Sequence, residues 1–185
     1  GHNFLSDWTA EEKKRLNGYG GERPVADHVP RHQIDANQSA PASVDWVTAG
    51  NVGAVQDQGQ CGSCWAFSAT GAAASSQSIR YNAAPQYNSQ QQLVSCSGSF
   101  GNQGCNGGWY FYAWNYMMAH PLTTEYQYPY VSGNGVAYAC NNAAAATGSY
   151  RVASYTQVAA SSTAIKSAIN LKPVSVAIEA DTYVF

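Results

Sequence analysis

The sequence predicts an α+β chain, on three observations. Two apolar runs have helical length, one from Trp65 to about Tyr81 and one from Trp109 to Met118. A third apolar run, Pro173-Val174-Ser175-Val176-Ala177-Ile178-Glu179, is short and β-branched and reads as a strand. The first 35 residues differ from all of this: they hold eleven of the twenty Asp, Glu, Lys and Arg side chains. That break near Asp35 marks a boundary.

Composition narrows the function. The 185 residues can bury a real core, with 45% apolar and only 11% charged side chains. Net charge is −2 and there is no basic block, so neither nucleic acid nor an anionic membrane is indicated as a partner. No apolar run approaches the roughly 18 residues of a membrane span. Five cysteines fit two disulfides and one free thiol, in any of fifteen arrangements. Disulfides would imply an oxidising compartment, meaning secreted, vacuolar or lysosomal.

In chain order, Thr9 caps a short helix over Trp8 to Leu16, with Glu12 three residues on as its capping-box partner. Gly18, Gly20, Gly21, Pro24 and Pro30 then argue for irregular or extended chain. Asn37-Gln38-Ser39 is a glycosylation sequon. The helix to Tyr81 is small-sided (Ala69, Gly71, Ala72, Ala73, Ala74) and apolar all round, which implies burial between other elements. The aromatic helix ends at His120, with Pro121 as its stop signal, and Ser162 caps a short helix from Thr163 to Asn170.

The chemistry centres on Cys64. A thiol at the start of a helix faces unpaired backbone N–H groups and the positive end of the macrodipole, which favour thiolate. Gly59 and Gly62 allow a tight approach of backbone to whatever the thiol attacks. The rival roles for Cys64 are a structural half-cystine and, from the Cys-x-x-Cys spacing, a thioredoxin-like redox site. No strand–helix–strand pattern surrounds it, which counts against redox. Zinc is weaker still, because Cys96, Cys105 and Cys140 form no second close pair.

Cys61-Gly62-Ser63-Cys64-Trp65 is the local signature of the papain and cathepsin cysteine proteases, and the chain resembles that family along most of its length. Gly1-His2-Asn3-Phe4-Leu5-Ser6-Asp7 is similar to the Gly-x-Asn-x-Phe-x-Asp pattern of cathepsin propeptides, with Leu5 where Phe is usual. Pro41-Ala42-Ser43-Val44-Asp45-Trp46 resembles the start of a mature protease of this kind. Further matches are Ser89 to Cys96, Gly104-Cys105-Asn106-Gly107-Gly108, and Thr124-Glu125 leading to Tyr128-Pro129-Tyr130. The chain departs from the family at Ala74-Ser75, where Glu-Gly is usual, and at Gln90 and Gln92, where acidic residues are usual. If those carboxylates form a buried network, it is neutralised here as a set.

The resemblance implies a papain-like two-lobe fold. Residues 1–40 would be the end of an inhibitory propeptide, and 41–185 an incomplete peptidase domain with its helical lobe over about 49–152. The β-rich second lobe would be truncated. It implies a cysteine endopeptidase of cathepsin L type, made as a proenzyme, acting on peptides without metal or cofactor. The propeptide would be its own inhibitor, the protein a monomer, and its compartment lysosomal, vacuolar or extracellular. Cys64 would be the nucleophile and Gln58 the side-chain donor to the oxyanion. Cys61 would pair with Cys105 and Cys96 with Cys140, each bridge worth about 3–4 kcal/mol in the chain-entropy model. Gly107 and Gly108 would pair with extended substrate. Trp109, Tyr110 and Ala177 would line a pocket suited to apolar or aromatic side chains, the rival reading of Trp109 and Tyr110 being helix core.

The family's catalytic His and its orienting Asn fall downstream of the Pro173–Glu179 stretch. His2, His28 and His32 sit in the charged leader, and His120 has the position of a helix cap. The 185 residues alone are therefore expected to lack turnover. A reading from another class is an inactive homologue that binds peptides or membranes as an interaction protein.

Overall fold

The structure is a computed structural model and describes residues 6–14, 18, 27–35 and 41–178. Residues 1–5 of the propeptide-like motif, the Asn37 sequon, and Glu179 at the end of the expected strand lie outside the described residues.

Six α-helices are described: α1 (Ala10–Lys14), α2 (Cys64–Tyr81), α3 (Gln90–Cys96), α4 (Tyr110–Ala119), α5 (Asn142–Ala145) and α6 (Ser162–Ile169). Short 3-10 turns cover Gly98–Phe100, Gly104–Asn106 and Ser132–Asn134. α1 opens with the capping box: Glu12 N–H donates to Thr9 Oγ1, and Thr9 N–H and Oγ1 both donate to Glu12 Oε2.

α2 is the axis of the helical lobe, and its small side chains explain why. Ala66, Ala69, Ala73 and Ala74 are all buried, so the backbones of neighbouring helices come close. α3 and α4 pack against it around Trp65, Leu93, Val94, Ala113, Tyr116, Met117, Leu122 and Val152. At its far end Asn82 takes the left-handed conformation (φ 48°) and returns its N–H to Ser78 O. Asn tolerates this conformation better than other non-glycine residues.

α3 carries three consecutive glutamines, and all three are buried. Gln92 is satisfied throughout: its amide donates to Tyr116 Oη (3.1 Å) and Pro121 O (3.0 Å), and its Oε1 accepts from Thr123 N–H (2.9 Å). Gln90 donates to Gln56 Oε1, and Gln56 donates in turn to Glu125. At Gln90 and Gln92, amides thus stand at the positions where acidic residues are usual in the resembling family. Ser89 caps the helix by accepting from Gln92 N–H and donates to Tyr128 O.

Two disulfides staple the lobe, Cys61–Cys105 and Cys96–Cys140, each spanning 44 residues of sequence. Asp45 organises the turn after residue 44 by accepting from Val47 and Thr48, and the bond from the Thr48 hydroxyl leads in holding its carboxyl below the ordinary range. Trp46 Nε1 donates to Ile169 O and ties that turn to α6.

Two expectations need correction. No strand is present among the described residues; pairing is confined to three isolated bridges. Pro173 to Ile178 forms no strand pairing among the described residues; Ser175 Oγ donates to Ser68 O, and Val176 and Ile178 are exposed. A strand is defined by its pairing, and β-branched composition supplies only half of that. The last helix starts one residue early because Ser161, not Ser162, is the cap, accepting from Ala164 N–H.

The buried amide of Gln92 gives a test of the polar core. Gln92→Leu keeps the volume but strands one N–H and weakens two acceptors, and should cost about 2–4 kcal/mol in denaturant melts. Gln86→Leu, at an exposed position, should stay within about 0.5 kcal/mol.

Candidate active site

Cys64 is the first residue of α2, exposed, and outside both disulfides. The turn that presents it is tightly bonded: Gly62 N–H donates to Cys105 O, Ser63 N–H to Cys61 O, and Ala66 N–H to Ser63 O. The helix position favours thiolate, but a larger effect opposes it. Burial beneath the surface pushes its pKa up, and the backbone N–H groups of Trp65 and Cys64 pull it only part of the way back. A Cβ built on Gly18 would stand 3.1 Å from Cys64 Sγ, so Gly18 lies against the sulfur and a larger residue there would crowd it.

Gln58 lies in the loop that leads to the cysteine. Its amide donates to Cys61 O at 2.8 Å, which sets the plane of the group and the direction of its second N–H. Cys61 is fully buried and bonded to Cys105, so the carbonyl that orients Gln58 belongs to one of the most fixed residues in the lobe. Asp57 supports the same turn by accepting from Gly59 N–H.

Gly107 and Gly108 follow the Gly104–Asn106 turn, next to the disulfide at Cys105. Gly108 is a close-approach position: a Cβ there would meet Asn102 Oδ1 at 2.3 Å and the Trp65 ring at 2.8 Å. Trp109 is the N-cap of α4 and Tyr110 its first residue, with Trp109 N–H held by Asn102 Oδ1. Both are half-buried, and with Tyr155 they surround a contact between Val29 of the leader and Phe111. The leader is also hydrogen-bonded there: His32 N–H donates to Gln157 O and Gln157 N–H to Pro30 O. Ala177 is exposed on the extended segment after α6, and the seat of Val29 is built without it.

The histidines have other partners or positions. His120 ends α4, its N–H donating to Tyr116 O and its ring packed against Phe100 and Tyr116. His32 meets Ser167 Oγ at 3.0 Å, and His28 is exposed. His2 lies outside the described residues. Among the described residues no three His, Cys, Asp or Glu side chains gather as metal ligands, and no helix is long and apolar enough to cross a membrane. Two features of the site are invisible to local reading: the approach of Gly18 to the sulfur, and the part played by residues 130–133. The glycine itself was readable, but not its destination.

Comparison with known proteins identifies the family. Residues 40–185 match the family described as papain family cysteine protease. A cathepsin L-like peptidase of Aedes aegypti is 46% identical over 121 residues, covering 65% of this chain and 34% of that protein. Digestive cysteine proteinase 2 of Homarus americanus is 42% identical over 160 residues, covering 85% of this chain and 47% of that protein. The chain thus spans a third to a half of the length of these relatives. Among solved structures, a recombinant stem bromelain precursor superposes with a TM-score of 0.82 at 26% identity, over 98% of this chain and 57% of that one. A digestive procathepsin L 3 from Tenebrio molitor larval midgut gives 0.76 at 28% identity, over 91% and 53%. The chain belongs to the papain family of cysteine proteases.

Proposed function

We propose that the protein of which this chain is part is a cysteine endopeptidase made as a proenzyme, with residues 1–40 as inhibitory leader and 41–185 within the peptidase domain. One observation carries the reading: the single cysteine outside the disulfides heads the central helix, and an upstream glycine lies across its sulfur. A segment in that place denies a substrate carbonyl access to the thiol.

The chemistry follows from the geometry. The Cys64 thiolate forms a bond to the peptide carbonyl carbon, and the carbonyl oxygen takes up the electron pair. Gln58 and the Cys64 backbone N–H are the donors assigned to that oxyanion. As the C–N bond breaks, the amine leaves with a proton from an imidazolium, and water then cleaves the thioester to restore the thiol. His32 and His120 are engaged elsewhere, so the reading assigns the base to a histidine of the whole protein, outside these residues. Because burial raises the Cys64 pKa, an imidazolium partner is needed for thiolate at mildly acidic pH, as in family members whose thiol titrates near 3–4. Trp109 and Tyr110, which meet an apolar leader residue here, favour apolar or aromatic substrate side chains. Two disulfides suit a lysosomal, vacuolar or extracellular setting.

Two outcomes test this. In the whole protein freed of its leader, Cys64→Ala should abolish peptide hydrolysis, and Gln58→Ala should lower kcat about 100- to 1,000-fold. Activity that survives Cys64→Ala would defeat the assignment, and a wild type that binds peptides without cleaving them would favour the inactive homologue. A synthetic peptide of residues 1–40 should inhibit the freed enzyme, and Gly18→Val in that peptide should weaken inhibition about tenfold or more, since its methyls would press on Cys64 Sγ. Equal inhibition by both peptides would show that the leader does not lie across the thiol.

A further inference from the structure

We propose that Tyr130 is a positioning residue of this active site, acting through Gln58 and Ser63 and not on the substrate; the proposal rests on the cysteine-protease reading above. The Tyr130 hydroxyl donates to the backbone carbonyl of Gln58 at 2.8 Å and lies 2.7 Å from Ser63 Oγ. A phenol has one proton. With that proton on Gln58 O, Ser63 must be the donor in the second bond, and its 3.5 Å contact with Cys61 O is left weak. Ser63 is also the residue at the N-cap position of α2, where a serine ordinarily accepts from the first turn. Here it makes no cap bond. Its hydroxyl is committed to the tyrosine instead.

One phenol therefore joins the two segments that carry the oxyanion donors. Gln58 is held at its carbonyl, while its amide is held by Cys61 O. Ser63, immediately before the nucleophile, is held by its side chain. The ring itself has little freedom. Phe67 meets it edge-on with centroids 4.9 Å apart. The next two N–H groups, of Val131 and Ser132, both donate to Oε1 of the fully buried Gln91. One residue further, Gly133 O accepts from Gln60 N–H at 2.8 Å, and a Cβ on Gly59 would stand 2.4 Å from that oxygen. The 130–133 segment is thus clamped from behind by Gln91 and clamps the 58–60 loop in front. Burial also raises the Tyr130 pKa, with the nearby Asp57 charge adding to it against the bond from Ser63, so the hydroxyl keeps its proton for Gln58.

An oxyanion exists only after attack, so donors displaced by a fraction of an ångström lose transition-state stabilisation while substrate binding is little changed. In the leader-free whole protein, Tyr130→Phe keeps the ring and removes only the hydroxyl. It should lower kcat about five- to tenfold, the size of one net hydrogen bond, with KM within about twofold. In a Gln58→Ala background the same change should cost clearly less, because one of the two donors it positions is gone and only the Cys64 N–H, held through Ser63, remains. Tyr126→Phe, at a 94% exposed ring, should change neither constant. Amide hydrogen exchange in Tyr130→Phe should rise over residues 57–63 and stay unchanged over α3 and α4. An unchanged kcat, or a loss undiminished by Gln58→Ala, would overturn the proposal. If wild type itself shows no turnover, the protease reading fails, and exchange then decides alone: a rise confined to 57–63 upholds the clamp, and no rise or a lobe-wide rise overturns it.

Discussion

The Cys61–Cys105 bond fixes where the 56–63 loop ends and α2 begins, and the surrounding structure keeps that junction in register. Cys61 is fully buried, its carbonyl receives Ser63 N–H and the Gln58 amide, and Gly62 N–H returns to Cys105 O. A nucleophile on a free loop would sample many positions, whereas one at the head of an 18-residue helix moves only with that helix. Small side chains along α2 let α3 and α4 pack close beneath it, so the thiol inherits the rigidity of the core. The disulfide fixes the loop from one side, and the 130–133 segment, backed by Gln91, fixes it from the other.

Behind this junction the polar interior is built from amides, with little net charge to compensate. Gln91 and Gln92 both accept backbone N–H groups and donate to hydroxyls, with Gln92 also donating to a carbonyl. An amide can donate and accept in the same plane, which an ionised carboxylate cannot do. If the acidic residues usual in the family at positions 74, 90 and 92 form a buried network, neutralising them together avoids leaving one charge unpaired.

What the sequence made legible was local or compositional. The Thr9–Glu12 box, the helix from Cys64 and the aromatic helix were readable because their signals lie within a few residues of one another. The last cap is misread by one residue because two adjacent serines can each serve, and the Ala164 N–H bond to the Ser161 hydroxyl distinguishes them only in the folded chain. The Pro173–Ile178 strand failed for a different reason, since pairing partners lie elsewhere in a chain. Cysteine counting left fifteen pairings open, and family resemblance was needed to single one out. The raised pKa of Cys64 was missed because the dipole is local while burial is not. Tyr130 lies in the motif Tyr128-Pro129-Tyr130, yet its partners are 72 and 67 residues away, so no reading of neighbours reveals them.

The proposed role of the leader is to block approach to the Cys64 sulfur and to keep the thiol protonated. The pH dependence of Cys64 alkylation by iodoacetamide, in the whole protein with and without residues 1–40, tests this most directly. A raised pKa means that the thiol stays protonated until pH exceeds the ordinary thiol value of about 8.5. With the leader present, reactivity should therefore appear only in the alkaline range. Without it, the midpoint should fall by two units or more as the thiol meets water and its imidazolium partner. The same acidic midpoint in both forms would contradict the account, because the leader would then be neither covering nor protonating the sulfur.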